Sequence, residues 1–208
     1  ASVTKMVTAS YYLTHINQFS RFKTELLIDG VIKDKVLHGD LYLKGYGDPT
    51  LKTDDLSFFI DAVKKLGLTK VEGDLFYDNS YLPDINYINR NQLPQYAYNP
   101  GVGAINLNEN RILFKWKRVE KAKYKTLLIA PGLKSNARAT NIIVDLENEK
   151  GPVYNYKLDK DKFEENWSVN RRILGKKGSR WLPVRESSYY ATEVLRQLLN
   201  ESGVKIEN

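Results

Sequence analysis

The residues best placed to do chemistry stand in the opening run Ala1-Ser2-Val3-Thr4-Lys5-Met6-Val7-Thr8-Ala9, where Ser2 and Lys5 form an S-x-x-K tetrad. An alcohol attacks a carbonyl when a base takes its proton, and a lysine three residues along a helix projects from the same face, one turn on. Lysine is a base only when neutral, a state favoured by burial and by nearby positive charge, the helix N-terminus included. Ser2 and Lys5 are therefore the candidate nucleophile and general base. The tetrad is not specific alone, since Ser20-Arg21-Phe22-Lys23 and Ser202-Gly203-Val204-Lys205 also satisfy it. Ser20 precedes a strand-like run and Ser202 comes just before a helix-ending glycine, so only Ser2 opens a helix. There a serine is either a nucleophile or a plain N-cap.

Other constellations are weaker. His15 and His38 are the only histidines, and neither has a carboxylate at metal-ligand spacing, so surface or structural roles are expected and no metal. Gly45-x-Gly47 lacks the third glycine of a dinucleotide loop, which leaves a turn and no cofactor. The alternation Phe114-Lys115-Trp116-Lys117-Arg118 reads as a half-buried edge strand, with base stacking as the other option. The 208 residues include no cysteine, which excludes disulfides, thiolate metal sites and cysteine nucleophiles. A hydrophobic share of 42% against 27% charged puts the chain among folded domains and outside the regime of disorder. The net charge of +7 serves solubility or attracts a polyanion, and the scatter of the lysines favours the former. No apolar run is long enough for a membrane span, and no leader pattern opens the chain, so an exported protein would carry its signal upstream.

The elements that must position these residues can be read from periodicity. Val3, Met6, Val7, Tyr11 and Leu13 fit the buried face of a helix running from Ser2 to about residue 15. Residues 22–28 and 36–43 suggest a hairpin about Asp29-Gly30. Gly45-Tyr46-Gly47-Asp48-Pro49-Thr50-Leu51 is a tight turn, and Thr53-Asp54-Asp55 caps a helix over 56–66 closed by Gly67. A strand over 71–77 follows, and then a long Asn-, Tyr- and Pro-rich loop over 78–100. Residues 104–107 and 111–117 read as a second hairpin, 127–130 and 139–146 as strands, and 147–162 carries no assignable pattern. Residues 187–202 form an amphipathic helix ended by Gly203.

Longer strings carry a resemblance. The opening run, Phe22-Lys23-Thr24-Glu25-Leu26, Gly39-Asp40-Leu41-Tyr42-Leu43-Lys44 running into the Gly45 to Leu51 turn, Val71-Glu72-Gly73-Asp74-Leu75, Ala104-Ile105-Asn106-Leu107-Asn108-Glu109-Asn110 and Leu182-Pro183-Val184-Arg185-Glu186 resemble, in order, the D-alanyl-D-alanine carboxypeptidase/endopeptidase family of class C low-molecular-mass penicillin-binding proteins. Such enzymes combine S-x-x-K with an S-x-N and a K-T-G motif. No K-T-G or K-S-G is present, and Ser168-Val169-Asn170, the only S-x-N, lies in a stretch without helical character and is read as accidental.

The resemblance implies a mixed α/β (α+β) fold in which a transpeptidase-like domain is split by an insertion of two nested domains. Residues 1–25 would begin the catalytic domain, 26–45 with 115–208 would form the middle inserted domain, and 46–114 the inner one. The chain would thus run from the nucleophile motif to just before the second motif. The resemblance further implies that Ser2 is acylated and Lys5 is its general base. The partners would be peptidoglycan stem peptides and, as covalent inhibitors, β-lactam antibiotics, in a periplasmic or other extracytoplasmic location, with activity in the intact protein only. A β-lactamase is disfavoured by the large insertion, and a nucleic-acid partner is not expected. A non-catalytic basic module that binds or scaffolds the cell wall is the alternative.

Overall fold

The computed structural model describes residues 3–17, 19–134, 136–148 and 151–206. Helix α1 spans Thr4–His15, with Val3 at the cap position already helical (φ −62°, ψ −31°). The expected cap, Ser2, lies outside the described residues. The expected burial of α1 does not occur: none of its residues is buried, and Met6, Val7 and Leu13 are 71%, 68% and 75% exposed. Its apolar stripe is real, but no described element packs over it.

Strands β1 (Thr24–Lys33) and β2 (Val36–Gly45) form an antiparallel hairpin with Lys33 opposite Val36. Its turn is Asp34-Lys35, both at positive φ (52° and 66°), and not the expected Asp29-Gly30. Two consecutive left-handed residues match the twist of a two-residue hairpin. Gly30 instead sits inside the ladder opposite Gly39. The pairing there is so close that a Cβ on Gly39 would lie 2.0 Å from the Asp29 carbonyl oxygen, which explains glycine in mid-strand.

The other edge of β2 takes β3 (Lys70–Val71) and β4 (Leu75–Asp78), both parallel to it. They are the expected strand over 71–77, interrupted where Gly73 donates to the Gly39 carbonyl at 3.1 Å and Asp40 Oδ1 accepts from Asp74 N–H at 2.8 Å. Helix α2 (Leu56–Lys65) buries Leu56 and Val63 and ends before Gly67, whose φ of 75° suits only glycine without strain.

A second sheet orders β11 (Lys177–Pro183), β5 (Arg111–Glu120), β6 (Lys123–Pro131) and β7 (Asn136–Ala137). The Phe114-Lys115-Trp116 strand is therefore internal and not an edge, hydrogen-bonded on both sides. The second expected hairpin is also absent, because Asn108, Glu109 and Asn110 all adopt left-handed φ (53°, 58° and 51°) in a turn that buries both asparagines. Asparagine amides satisfy it: Asn110 Nδ2 donates to the Gly101 carbonyl at 2.9 Å and to Asn106 Oδ1 at 2.7 Å.

A third sheet has β10 (Glu164–Asn170) between β8 (Ile142–Glu147), parallel to it, and β9 (Tyr154–Asp159), antiparallel. Strand β9 fills the stretch that had no legible pattern. Helix α3 (Ser187–Glu201) buries Tyr190, Ala191, Val194, Leu195, Leu198 and Leu199, and is followed by Gly203 at φ 95° and the two-residue strand β12 (Lys205–Ile206) beside β3. Leu37 and Leu41 of β2, Phe114 of β5, Trp167 of β10 and Leu195 of α3 belong to one continuous buried cluster.

Candidate active site

Lys5 occupies the first turn of α1, exposed, on a helix with no acidic residue. It borders an apolar furrow along the helix lined by Thr8, Ala9, Tyr12 and Leu13. Its expected partner Ser2 lies outside the described residues. Both rival tetrads stand in the wrong settings for an activated serine: Ser20 is in the extended link before β1, and Ser202 is at the C-terminal end of α3. Ser168 and Asn170 lie on strand β10, as a non-helical reading of that stretch required.

The Gly-Tyr-Gly-Asp-Pro turn sits at the far end of β2 and is tied to the start of the hairpin. Tyr46 Oη donates to Glu25 Oε2 at 2.7 Å, and Lys23 Nζ meets Glu25 Oε1 at 2.7 Å. Lys44 pairs with Asp78 at 2.6 Å, and this ammonium holds the Asp78 carboxyl down at about 2. Both ammonium groups lie over the Tyr46 ring, 5.1 and 5.8 Å from its centre. Asp48 closes the turn itself by accepting from Thr50 N–H at 2.8 Å and from Thr50 Oγ1 at 2.7 Å. These contacts tie the start of β1 to the turn that follows β2.

The largest buried polar group is one that sequence reasoning missed. Arg185, 1% exposed, reaches from the foot of α3 into the loop over 79–100. Its guanidinium donates to the carbonyls of Pro94 at 2.5 Å, Asn86 at 3.3 Å and Asn99, and stacks 4.1 Å from the centre of the Tyr87 ring. Fully buried Glu165 accepts from the N–H groups of Arg185 (2.8 and 3.0 Å) and Glu186 (2.9 Å). Burial pushes its carboxyl up to about 7, against the opposing pull of these N–H donors. The signal for Glu165 was legible: it alternates with Trp167 and Val169 along one strand, so whatever buries those two buries it as well. Nothing in the pattern showed what Arg185 would grip.

The comparisons with known proteins fit this architecture. The solved structure of penicillin binding protein 4 (dacB) from Haemophilus influenzae superposes with a TM-score of 0.70 at 21% identity, covering 99% of this chain and 46% of that one. Its complex with a β-lactam gives 0.63 at 18% identity, covering 100% and 44%. In sequence, the D-alanyl-D-alanine carboxypeptidase DacB of H. influenzae is 35% identical over 80 residues, and the D-alanyl-D-alanine carboxypeptidase of Actinomadura sp. strain R39 is 31% identical over 108. The aligned stretches cover 38% and 50% of this chain but only 17% and 20% of those relatives, and the chain spans less than half of either solved structure. The family profile itself matches residues 1–208 without a gap at either end, so the chain belongs to the D-Ala-D-Ala carboxypeptidase 3 (S13) family.

Proposed function

We propose that the protein bearing this chain is a serine-type D-Ala-D-Ala carboxypeptidase and endopeptidase of peptidoglycan stem peptides, acting outside the cytoplasm. The observation that carries this reading is the family match from the first residue to the last, which includes Ser2 and Lys5. Ser2 Oγ attacks the carbonyl carbon between two D-alanines while Lys5 Nζ takes its proton. The tetrahedral oxyanion gathers hydrogen bonds, one of them from the Ser2 backbone N–H. Its collapse breaks the C–N bond, the departing amine takes a proton, and an ester on Ser2 remains. Water then attacks this ester and releases the shortened peptide. When the leaving amine belongs to a cross-link, the same steps are endopeptidase action. A β-lactam follows the first half of the sequence and leaves a slowly hydrolysed adduct.

The 208 residues hold no K-T-G motif, the one expected to bind the substrate carboxylate and supply the second oxyanion donor, so we assign the activity to the intact protein and not to these residues alone. We place residues 1–25 in the catalytic domain, 26–45 and 115–208 in a middle domain and 46–114 in an inner one. The uncovered apolar residues of α1 support the first boundary.

The test is acylation of the full-length protein by a labelled penicillin, read by intact mass and peptide mapping. A one-to-one adduct on the peptide containing Ser2, absent in Ser2→Ala, is expected together with D-alanine release from a stem pentapeptide. An adduct that survives Ser2→Ala would move the nucleophile to another residue, and no adduct in the wild type would favour a non-catalytic wall-binding module, to which the +7 charge lends itself.

A further inference from the structure

Strand register creates a row of like charge on the outer face of the β11–β5–β6 sheet. Lys117 of β5 stands directly opposite Lys177 of β11 on one side and Lys125 of β6 on the other. Neighbouring strands are about 4.8 Å apart, so three ammonium side chains rise side by side, with Lys115 about 7 Å further along β5 on the same face. All four are exposed. They border an open furrow of about 450 Å³ floored by Leu127 and Ser179.

Like charges directly opposite across strands oppose folding, and a sheet normally offsets them with acids. This one does not. Glu120 is the only acid in the three strands, and it already pairs with Lys123 at 2.7 Å. Elsewhere Lys23, Lys44 and Lys52 have carboxylate partners, whereas among the described residues Lys115, Lys117, Lys125 and Lys177 have none. The three arginines of the same strands are engaged elsewhere: Arg111 pairs with Glu109 and lies over the Trp181 ring, Arg118 binds Tyr124 Oη and the Leu174 carbonyl, and Arg180 covers the Tyr154 ring. The face is therefore an array of point charges without a guanidinium fork.

We propose that this furrow binds a linear polymer bearing phosphate charges. Arginine's fork binds carboxylate and phosphate alike in a fixed plane, while lysine binds phosphate as a point charge that sets no orientation, which suits a row of phosphates along a flexible chain. Cations bordering a furrow in two directions suit a flexible chain laid along it more than the plane of a bilayer. The site shares no residue with the Ser2 and Lys5 pair and does not depend on the acyl-transfer reading.

Binding of inorganic polyphosphate to the full-length protein, followed by fluorescence anisotropy across a salt series, tests it. Four neutralised phosphates give a slope of log K against log salt of about −3. The triple variant Lys117→Gln/Lys125→Gln/Lys177→Gln should weaken binding about tenfold or more and bring the slope to about −1. The triple Lys64→Gln/Lys65→Gln/Lys160→Gln removes the same charge from other exposed positions and should change affinity by less than about twofold. The row variant should melt no lower than wild type, because it relieves repulsion. Equal losses in both triples would reduce the effect to net charge and overturn the proposal. So would equal or tighter row-dependent binding of poly-L-glutamate or of phosphatidylglycerol vesicles, or a lowered melting temperature in the row variant.

Discussion

Arg185 and Glu165 meet through backbone and not charge to charge: Arg185 N–H donates to both Glu165 carboxylate oxygens, at 2.8 and 3.0 Å, while the guanidinium engages the carbonyls of Asn86, Pro94 and Asn99. Glu165 thus fixes the start of α3, and Arg185 fixes the loop that runs past it. One dipeptide position couples a sheet, a helix and a 20-odd-residue loop that has no regular structure of its own.

Arg185→Lys should loosen that loop. A single ammonium cannot serve three carbonyls in the plane of a guanidinium, and a buried carbonyl left without a donor costs about 1–3 kcal/mol. Stability is expected to fall by roughly 2–4 kcal/mol, with faster proteolysis and amide exchange confined at first to residues 79–100. Unchanged exchange in that segment would show that the loop is held by something else.

Glu165 should make stability depend on pH in an unusual direction. Its folded value of about 7 lies above the ordinary 4.5, so between those values the folded state holds a proton that the unfolded chain has released. Its contribution is then fully present below pH 4.5 and is lost as pH rises through 7, amounting to a change on the order of 3 kcal/mol. Urea denaturation from pH 5 to 8 should show this decline in wild type, and Glu165→Gln should remove most of it. Parallel pH profiles for the two proteins would rule the assignment out.

Gly39→Ala and Gly30→Ala should each destabilise by more than about 2 kcal/mol, since the new methyl would meet backbone carbonyl oxygens at 2.0 and 2.4 Å and neither φ (150° and 141°) suits alanine. Gly151→Ala and Gly175→Ala, where nothing lies within 4 Å, should be neutral or stabilising by up to about 1 kcal/mol. Chemical denaturation midpoints separate the two classes.

Lys5→Arg keeps the charge and the helix but removes the capacity to accept a proton at neutral pH. In the full-length protein, acylation by a labelled penicillin should slow by about 100- to 10,000-fold, the range expected for loss of a general base. Near-normal acylation would remove Lys5 from the proposed mechanism.

The sequence by itself determined what depends on local rules. Gly67 and Gly203 mark helix ends because the chain must turn left-handed there, α2 and α3 follow from their apolar stripes, and Ser20 and Ser202 could be set aside because neither starts a helix. The ordered strings running from Ser2 to Glu186 carried the family. Only the tertiary structure decided the rest, because those features arise between segments distant in the chain. Whether Asp29-Gly30 or Asp34-Lys35 turns the hairpin depends on the register that brings Gly30 against Gly39. That the Phe114 strand is internal depends on β11 arriving from more than 60 residues downstream, which is also what sets Lys177 beside Lys117. The apolar stripe of α1 reads as a buried face in any sequence, but burial belongs to the partner, and no described element supplies one.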